Sequence, residues 1–323
     1  CGGIPCLNVS MYCSMPSVAM PRFSPFAGSR LFLLLLLLLA ALAAPAAPHA
    51  ADAPQQGVLL VAFGTSVPEA LPAMQAVDQE FKQAFPGQPV VWAYTSQIIR
   101  KKIAAQGRPV GGISDGLAKL AKDGVKVVRV QSLHVMAGEE FSALERAVLI
   151  DLQKNPGRFE AVYLGRPMLE SEADAQALAS AILEDTKALR GKNAALVLMG
   201  HGQEHGRAGL TFEGVRALFH NQDKHVFMAT VEGERSFDDL LKELKAAKVK
   251  SVVIAPLMLV AGDHARNDLA GDEADSWASQ LKAAGFKVTA NLKGLGQVPG
   301  ARALLVQHAK SASDDLTKEP RKQ

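Results

Sequence analysis

Three polar residues in the second half of the chain share one local setting. His201 stands in Gly200-His201-Gly202, Glu232 in Val231-Glu232-Gly233 and His264 in Gly262-Asp263-His264, each directly after an apolar run. Two imidazoles and a carboxylate suit a divalent ion such as Co²⁺, Fe²⁺, Ni²⁺ or Zn²⁺. Neutral imidazole is also a base near neutral pH, although one nitrogen cannot ligate and accept a proton at once. The spacing is not compact like H-E-x-x-H, so only the fold can bring the three together. Each residue also has an ordinary alternative. His201 could cap a helix, Glu232 could favour a helix start, and His264 could be a satisfied surface residue.

Other residues could line the same space. Gly64-Thr65-Ser66 precedes a helix and could cradle an anion. Met199 and Met258 lie near strand ends, where core packing explains them as well as ligand contact does. His134 and Glu140 fall at the first-half equivalents of Met258 and His264. His205 follows His201 by four residues in a polar loop, and Asp268 and Asp272 follow His264 at four-residue spacing, as on a solvated helix face. His220, His225 and His308 read as surface residues. No G-x-G-x-x-G, Walker loop or G-x-S-x-G elbow is present, so neither a nucleotide nor a serine-elbow hydrolase is indicated.

The elements that must position these residues alternate regularly. Val58–Phe63 is a continuous apolar run, as in a strand buried on both faces. Ser66 with Glu69 fits a capping box, and Leu71, Met74, Val77, Phe81 and Phe85 then recur at helical spacing. Strands are predicted at Val90–Tyr94, Val125–Val135, Ala161–Leu164, Ala195–Met199, Val226–Val231, Val252–Val260 and Val288–Leu292. Helices are predicted at Gln97–Ala105, Ile113–Lys122, Glu139–Gln153, Ala173–Leu189, Glu213–Phe219, Phe237–Ala247, after His264, and at Gly300–Ala312. Alternating β and α implies parallel sheets flanked by helices.

The two halves also match each other. Leu60-Val61-Ala62-Phe63-Gly64-Thr65-Ser66 aligns with Leu196-Val197-Leu198-Met199-Gly200-His201-Gly202, and Leu133 to Glu140 aligns with Leu257 to His264. This predicts an α/β duplication. One lobe spans 54–190 and a similar lobe spans 191–323, including the metal site and a final helix. Ligands would bind in the cleft between them, at the C-terminal strand ends.

Residues 1–53 read as a leader with an upstream extension. Arg22 and Arg30 precede the apolar run Leu31–Leu42, and Ala44-Pro45-Ala46 and Ala51-Asp52-Ala53 offer cleavage sites, so export with cleavage near 46–53 and a periplasmic location is expected. The run is well short of the ~20 residues a membrane helix needs. Cys1, Cys6 and Cys13 all precede it, so thiolate ligands and cysteine nucleophiles are absent from the folded part. With 35 Lys and Arg against 32 Asp and Glu, and no basic block, no nucleic-acid partner is indicated.

Leu198-Met199-Gly200-His201-Gly202, Thr230-Val231-Glu232-Gly233 and the long run Pro256-Leu257-Met258-Leu259-Val260-Ala261-Gly262-Asp263-His264-Ala265-Arg266-Asn267-Asp268 resemble the signature segments of the anaerobic sirohydrochlorin cobaltochelatases. These are class II tetrapyrrole chelatases. Leu60–Ser66 resembles that family's first strand and loop, and the likeness runs from about Val58 to Ala312. It implies two α/β lobes around a cleft, with His201 and His264 as functional histidines and Glu232 completing the metal site. It further implies insertion of Co²⁺, with Fe²⁺ as the alternative, into sirohydrochlorin, with two protons released. Exported members are expected to form homo-oligomers and to hold a haem between subunits, for which His134 is the candidate ligand. The competing reading is an exported carrier of metal, haem or another tetrapyrrole, without catalysis.

Overall fold

The computed structural model describes residues 55–203, 208–233 and 235–318. Residues 1–53, which the sequence suggests are a leader, and His205 lie outside them. Among the described residues, eight strands form two parallel four-stranded sheets. The first holds β1 (Gln56–Ala62), β2 (Val90–Tyr94), β3 (Val127–Ser132) and β4 (Ala161–Gly165) in the order β2-β1-β3-β4. The second repeats that order as β6-β5-β7-β8, from β5 (Ala195–Gly202), β6 (Val226–Glu232), β7 (Ser251–Pro256) and β8 (Lys287–Ala290). The identical order carries the duplication seen in the sequence.

The middles of β1 and β5 are apolar throughout because both faces are covered. Val58, Leu59, Leu60 and Val61 are all fully buried, as are Leu196, Val197 and Met199. Each such side chain contributes about 1.5–3 kcal/mol through burial. The inner faces of both sheets share one apolar cluster, in which Val58 and Leu60 join Leu196 and Leu198. The outer faces have separate clusters.

Helices α1 (Leu71–Ala84), α2 (Gln97–Ala105), α3 (Ile113–Lys122), α4 (Glu139–Lys154) and α5 (Glu172–Arg190) belong to the first half of the chain. Helices α6 (Ala208–Gln222), α7 (Phe237–Ala246), α8 (Trp277–Ala283) and α9 (Pro299–Ser311) belong to the second. Local chemistry sets their ends. Ser171 caps α5 and Asp174 bonds back to it, while Pro299 opens α9. Among the described residues, no helix is long and apolar enough to cross a membrane.

The boundary at 190/191 does not divide the helices as the sequence suggested. Helix α5, placed with the first lobe, packs on β5, β7 and α6; α9, placed with the second, packs on β3, β4 and α1. Arg129 of β3 donates to the carbonyls of Ala309 and Ala312 at 2.9 and 3.3 Å, satisfying the end of α9. Arg302 of α9 reaches Glu80 of α1 at 3.0 Å. His308, read as a surface residue, is buried and joins α9 to α5 through Asp174 at 3.1 Å. Beyond α9 the tail adds to the edge of β4, where Leu316 N–H donates to Val162 O at 2.8 Å.

Four smaller expectations are also corrected. The Ser66–Glu69 capping box does not form; Val67 N–H instead donates to Thr65 Oγ1 at 3.1 Å, ahead of a 3₁₀ turn at Pro68–Ala70. Strand β3 is shorter than Val125–Val135. Strand β7 stops at Pro256; Leu257 N–H still donates to Met199 O, but Met258 O and Leu259 O beyond it accept from Leu295 and Gly296 N–H outside the sheet. Helix α6 runs well beyond Glu213–Phe219, its periodicity blurred by Gly209 and Gly214.

Candidate metal and ring site

In each sheet the connection order reverses between the two central strands, which opens a crevice at their C-terminal ends. The two crevices face each other and form a cleft of about 1210 Å³. Its walls come from the loops after β1 and β3 on one side and after β5, β6 and β7 on the other.

His201, Glu232 and His264 all line this cleft. Strand register places the first two together, because Gly202 pairs with Glu232 across β5 and β6. Gly202 has φ of +84°, and a Cβ there would lie 1.8 Å from Glu232 O, so only glycine permits this approach. Glu232 Oε2 is 3.8 Å from His201 Nδ1. The His201 and His264 rings stand perpendicular with centroids 4.8 Å apart.

The hydrogen bonds orient both rings. His201 Nδ1 lies 3.1 Å from Gly202 O, and His264 Nδ1 lies 2.5 Å from Asp268 Oδ2. With each Nδ1–H donated to an oxygen, both Nε2 atoms keep a lone pair for a metal or a proton. His264 leads into a π-helical turn at Ala265–Leu269, which sets Asp268 against it. Asp268 therefore orients His264, and Asp272 lies beyond that turn, so the two do not share a solvated helix face. Among the described residues, no three His, Asp, Glu or Cys side chains are gathered tightly enough to enclose an ion.

The opposite wall carries the remaining candidates. Gly64, Thr65 and Ser66 line it, with Phe63 beside them and 48% exposed. Glu140 lines it too and accepts a bond from Thr95 Oγ1 at 2.9 Å. Met258 lines the cleft, but Met199 is fully buried in the outer-face cluster and does not. Its alternation along β5 turns it away from the cleft, so its reading as a ring contact is withdrawn.

His134 is placed differently from the other histidines. Its Nδ1 meets Ser132 Oγ at 3.0 Å, while its Nε2 is buried without a partner. Burial lowers its pKa from the ordinary 6.5 to about 4, so it is neutral at pH 7. An Nε2 with no exposed surface gives a haem iron no approach. The residues present do not fit His134 as a haem ligand.

Several cleft residues gave no sequence signal. Gln203 crosses from the second lobe, and a Cβ on Gly138 of the first would lie 2.7 Å from its Nε2. Glu213 of α6 and Arg235 of the β6–α7 loop also line the cleft, and they pair with each other. They are 22 residues apart in sequence, so no local pattern links them. The remaining charges on the walls, Glu139, Glu140, Asp239 and Asp263, are acidic and would attract a cation.

Comparison with known proteins gives a consistent answer. A family model described as cobalt chelatase (CbiK) matches residues 56–314. The sirohydrochlorin cobaltochelatase CbiKC of Nitratidesulfovibrio vulgaris is 34% identical over 264 residues, covering 81% of this chain and 93% of that protein. The sirohydrochlorin cobaltochelatase of Salmonella typhimurium is 34% identical over 270 residues, covering 82% and 99%. Among solved structures, SirB from Bacillus subtilis with Fe³⁺ superposes with a TM-score of 0.56 at 14% identity, covering 79% of this chain and 94% of that one. That likeness concerns the fold.

Proposed function

Since the chain belongs to the CbiK cobalt chelatase family, we propose that it is a sirohydrochlorin cobaltochelatase in which His201, Glu232 and His264 handle the incoming ion. The observation that carries the site assignment is the pairing of two perpendicular imidazoles, each with Nδ1 committed and Nε2 free, beside one carboxylate.

Insertion exchanges two pyrrole N–H protons for one M²⁺. The protein must hold the ion, replace its water and accept protons. Two adjacent Nε2 lone pairs let one imidazole ligate while the other takes the first proton, passes it to solvent and then takes the second, so no nitrogen ligates and accepts a proton at once. Glu232 offsets the charge of the ion beside His201. The acidic walls draw in the cation, and the exposed ring of Phe63 offers an apolar surface to the macrocycle. The backbone around Gly64–Ser66 offers donors for its carboxylates. Co²⁺ is the ion favoured by the names of the relatives, with Fe²⁺ the competitor that a histidine and carboxylate set does not itself reject.

The test mixes the chain from about Ala53 with sirohydrochlorin and Co²⁺, or Fe²⁺, under anaerobic conditions and follows the absorbance change on metallation. Insertion well above the buffer rate supports the enzyme. Tight ring or metal binding without acceleration would instead make it a carrier. Export belongs to the same proposal and rests on Arg22, Arg30, Leu31–Leu42 and the Ala-x-Ala sites; fractionation of expressing cells tests it. Homo-oligomer formation rests on the resemblance alone and is read by sedimentation.

A further inference from the structure

The loop that carries Glu232 is held by a charge cluster. It leaves β6 at Glu232, turns at Gly233 with φ of +100°, and enters α7 after Ser236. Thr230 closes it, donating both its N–H and its Oγ1–H to Arg235 O at 3.0 and 3.2 Å. The Arg235 guanidinium then grips Glu213 of α6 with two parallel bonds, Nε to Oε1 and Nη2 to Oε2, both 3.0 Å. Its Nη1 reaches Glu243 of α7 at 3.1 Å, and Arg216 adds a bond to Glu213 at 2.9 Å. Burial would raise the Glu213 pKa, but the bonds from Arg235 and Arg216 outweigh it and hold the carboxyl below its usual range.

We propose that Arg235 is a positioning residue for Glu232: its two-pronged grip on Glu213 fixes the loop and sets the carboxylate beside His201, tightening the hold on the divalent ion. This rests on the reading of Glu232 as the site carboxylate. Thr230 and Arg235 define the two ends of a short loop, and Glu232 lies between them next to a glycine with wide backbone freedom. Without the grip, the loop keeps the Thr230 bonds to Arg235 O but loses its side-chain anchor on α6, so Glu232 is held less tightly. A lysine cannot replace the grip, because it has no planar fork. The side chain of Arg235 is 24% exposed and that of Glu213 40%. Such a pair adds little to global stability, so its main effect is local geometry.

The test is calorimetric binding of Co²⁺ to the chain without any ring, in a double-mutant cycle with Glu232→Gln. Arg235→Ala is expected to weaken Co²⁺ binding roughly tenfold, within the range for groups that orient metal ligands. Arg235→Lys should not restore it, and Glu213→Gln should weaken binding less. In the Glu232→Gln background, Arg235→Ala should change binding less than about twofold. An equal loss in both backgrounds, or no loss from Arg235→Ala or from Glu232→Gln, would overturn the proposal. If Arg235→Ala does not fold, Glu213→Gln carries the same cycle. Because the readout needs no ring, a failure of ring metallation sinks the chelatase reading separately.

Discussion

The imidazole of His264 and the carboxylate of Asp268 form a hydrogen-bonded pair at 2.5 Å, with Asp268 held in the π-helical turn that His264 opens. This pair decides which nitrogen of His264 faces the cleft. Removing the imidazole should therefore be far worse than removing its partner. His264→Ala and His201→Ala are each expected to lower kcat by roughly 10²–10⁴-fold, and Asp268→Asn by roughly 10–100-fold. Stopped-flow metallation measures all three. Equal losses for Asp268→Asn and His264→Ala would remove the orienting role assigned to Asp268.

Gly202 and Gly214 should respond in opposite ways to alanine. At Gly202 a Cβ would meet Glu232 O at 1.8 Å on a backbone with positive φ, so Gly202→Ala should abolish insertion and lower Tm. Gly214 sits within α6 with nothing within 4 Å of a new Cβ. Gly214→Ala should stabilise the fold by about 0.5–1 kcal/mol and leave insertion unchanged. Thermal melts and insertion rates on both variants check the pair.

His134 gives a pH signature. Its native pKa of about 4 lies below the ordinary 6.5 of the unfolded chain. Between those values the unfolded chain binds a proton that the native state refuses, so stability is full above about 6.5 and falls as pH drops toward 4. The carboxylates of Asp174, Glu213, Asp223 and Asp315 have pKa values below their ordinary range, so their own losses come at lower pH. His134→Met, which copies the equivalent Met258, should remove the His134 share of the decline. Urea unfolding at steps between pH 7 and 4 gives the comparison, and curves parallel to the parent would rule it out.

Leu305 tests the exchange of helices. It is fully buried, from α9, in the cluster that both lobes share. Leu305→Ala should cost about 2–5 kcal/mol, and near- and far-ultraviolet signals should still move together, because neither lobe holds all of its own core. Two separated transitions in the parent protein would contradict that coupling.

The sequence carried the strand positions, the duplicated order and the three cleft residues well, since these rest on apolar runs and on glycine-flanked polar residues after each strand. It misassigned what depends on contacts distant in sequence. Nothing in the apolar face of α5 says which sheet it covers, and the same holds for α9. Met199 looked like a ligand contact because it lies near a strand end, but strand alternation turns it to the outer core. Arg235 and Glu213 were silent because a two-pronged ion pair across 22 residues leaves no periodic trace. Asp268 was seen at the right spacing, but only the π-helical turn shows that it faces His264.

The exchange of α5 and α9 also bears on the order in which the lobes can be completed as the polypeptide emerges from its N-terminus. Strands β1 to β4 are made first, yet the helix that covers β3 and β4 ends at Ser311, and the tail on the β4 edge comes later still. The second sheet, made afterwards, finds α5 already waiting. The half that is synthesised first is therefore sealed last. During synthesis, the first sheet keeps part of an apolar face uncovered until α9 has emerged, and exposed apolar surface of that kind is what makes partly folded chains prone to aggregate.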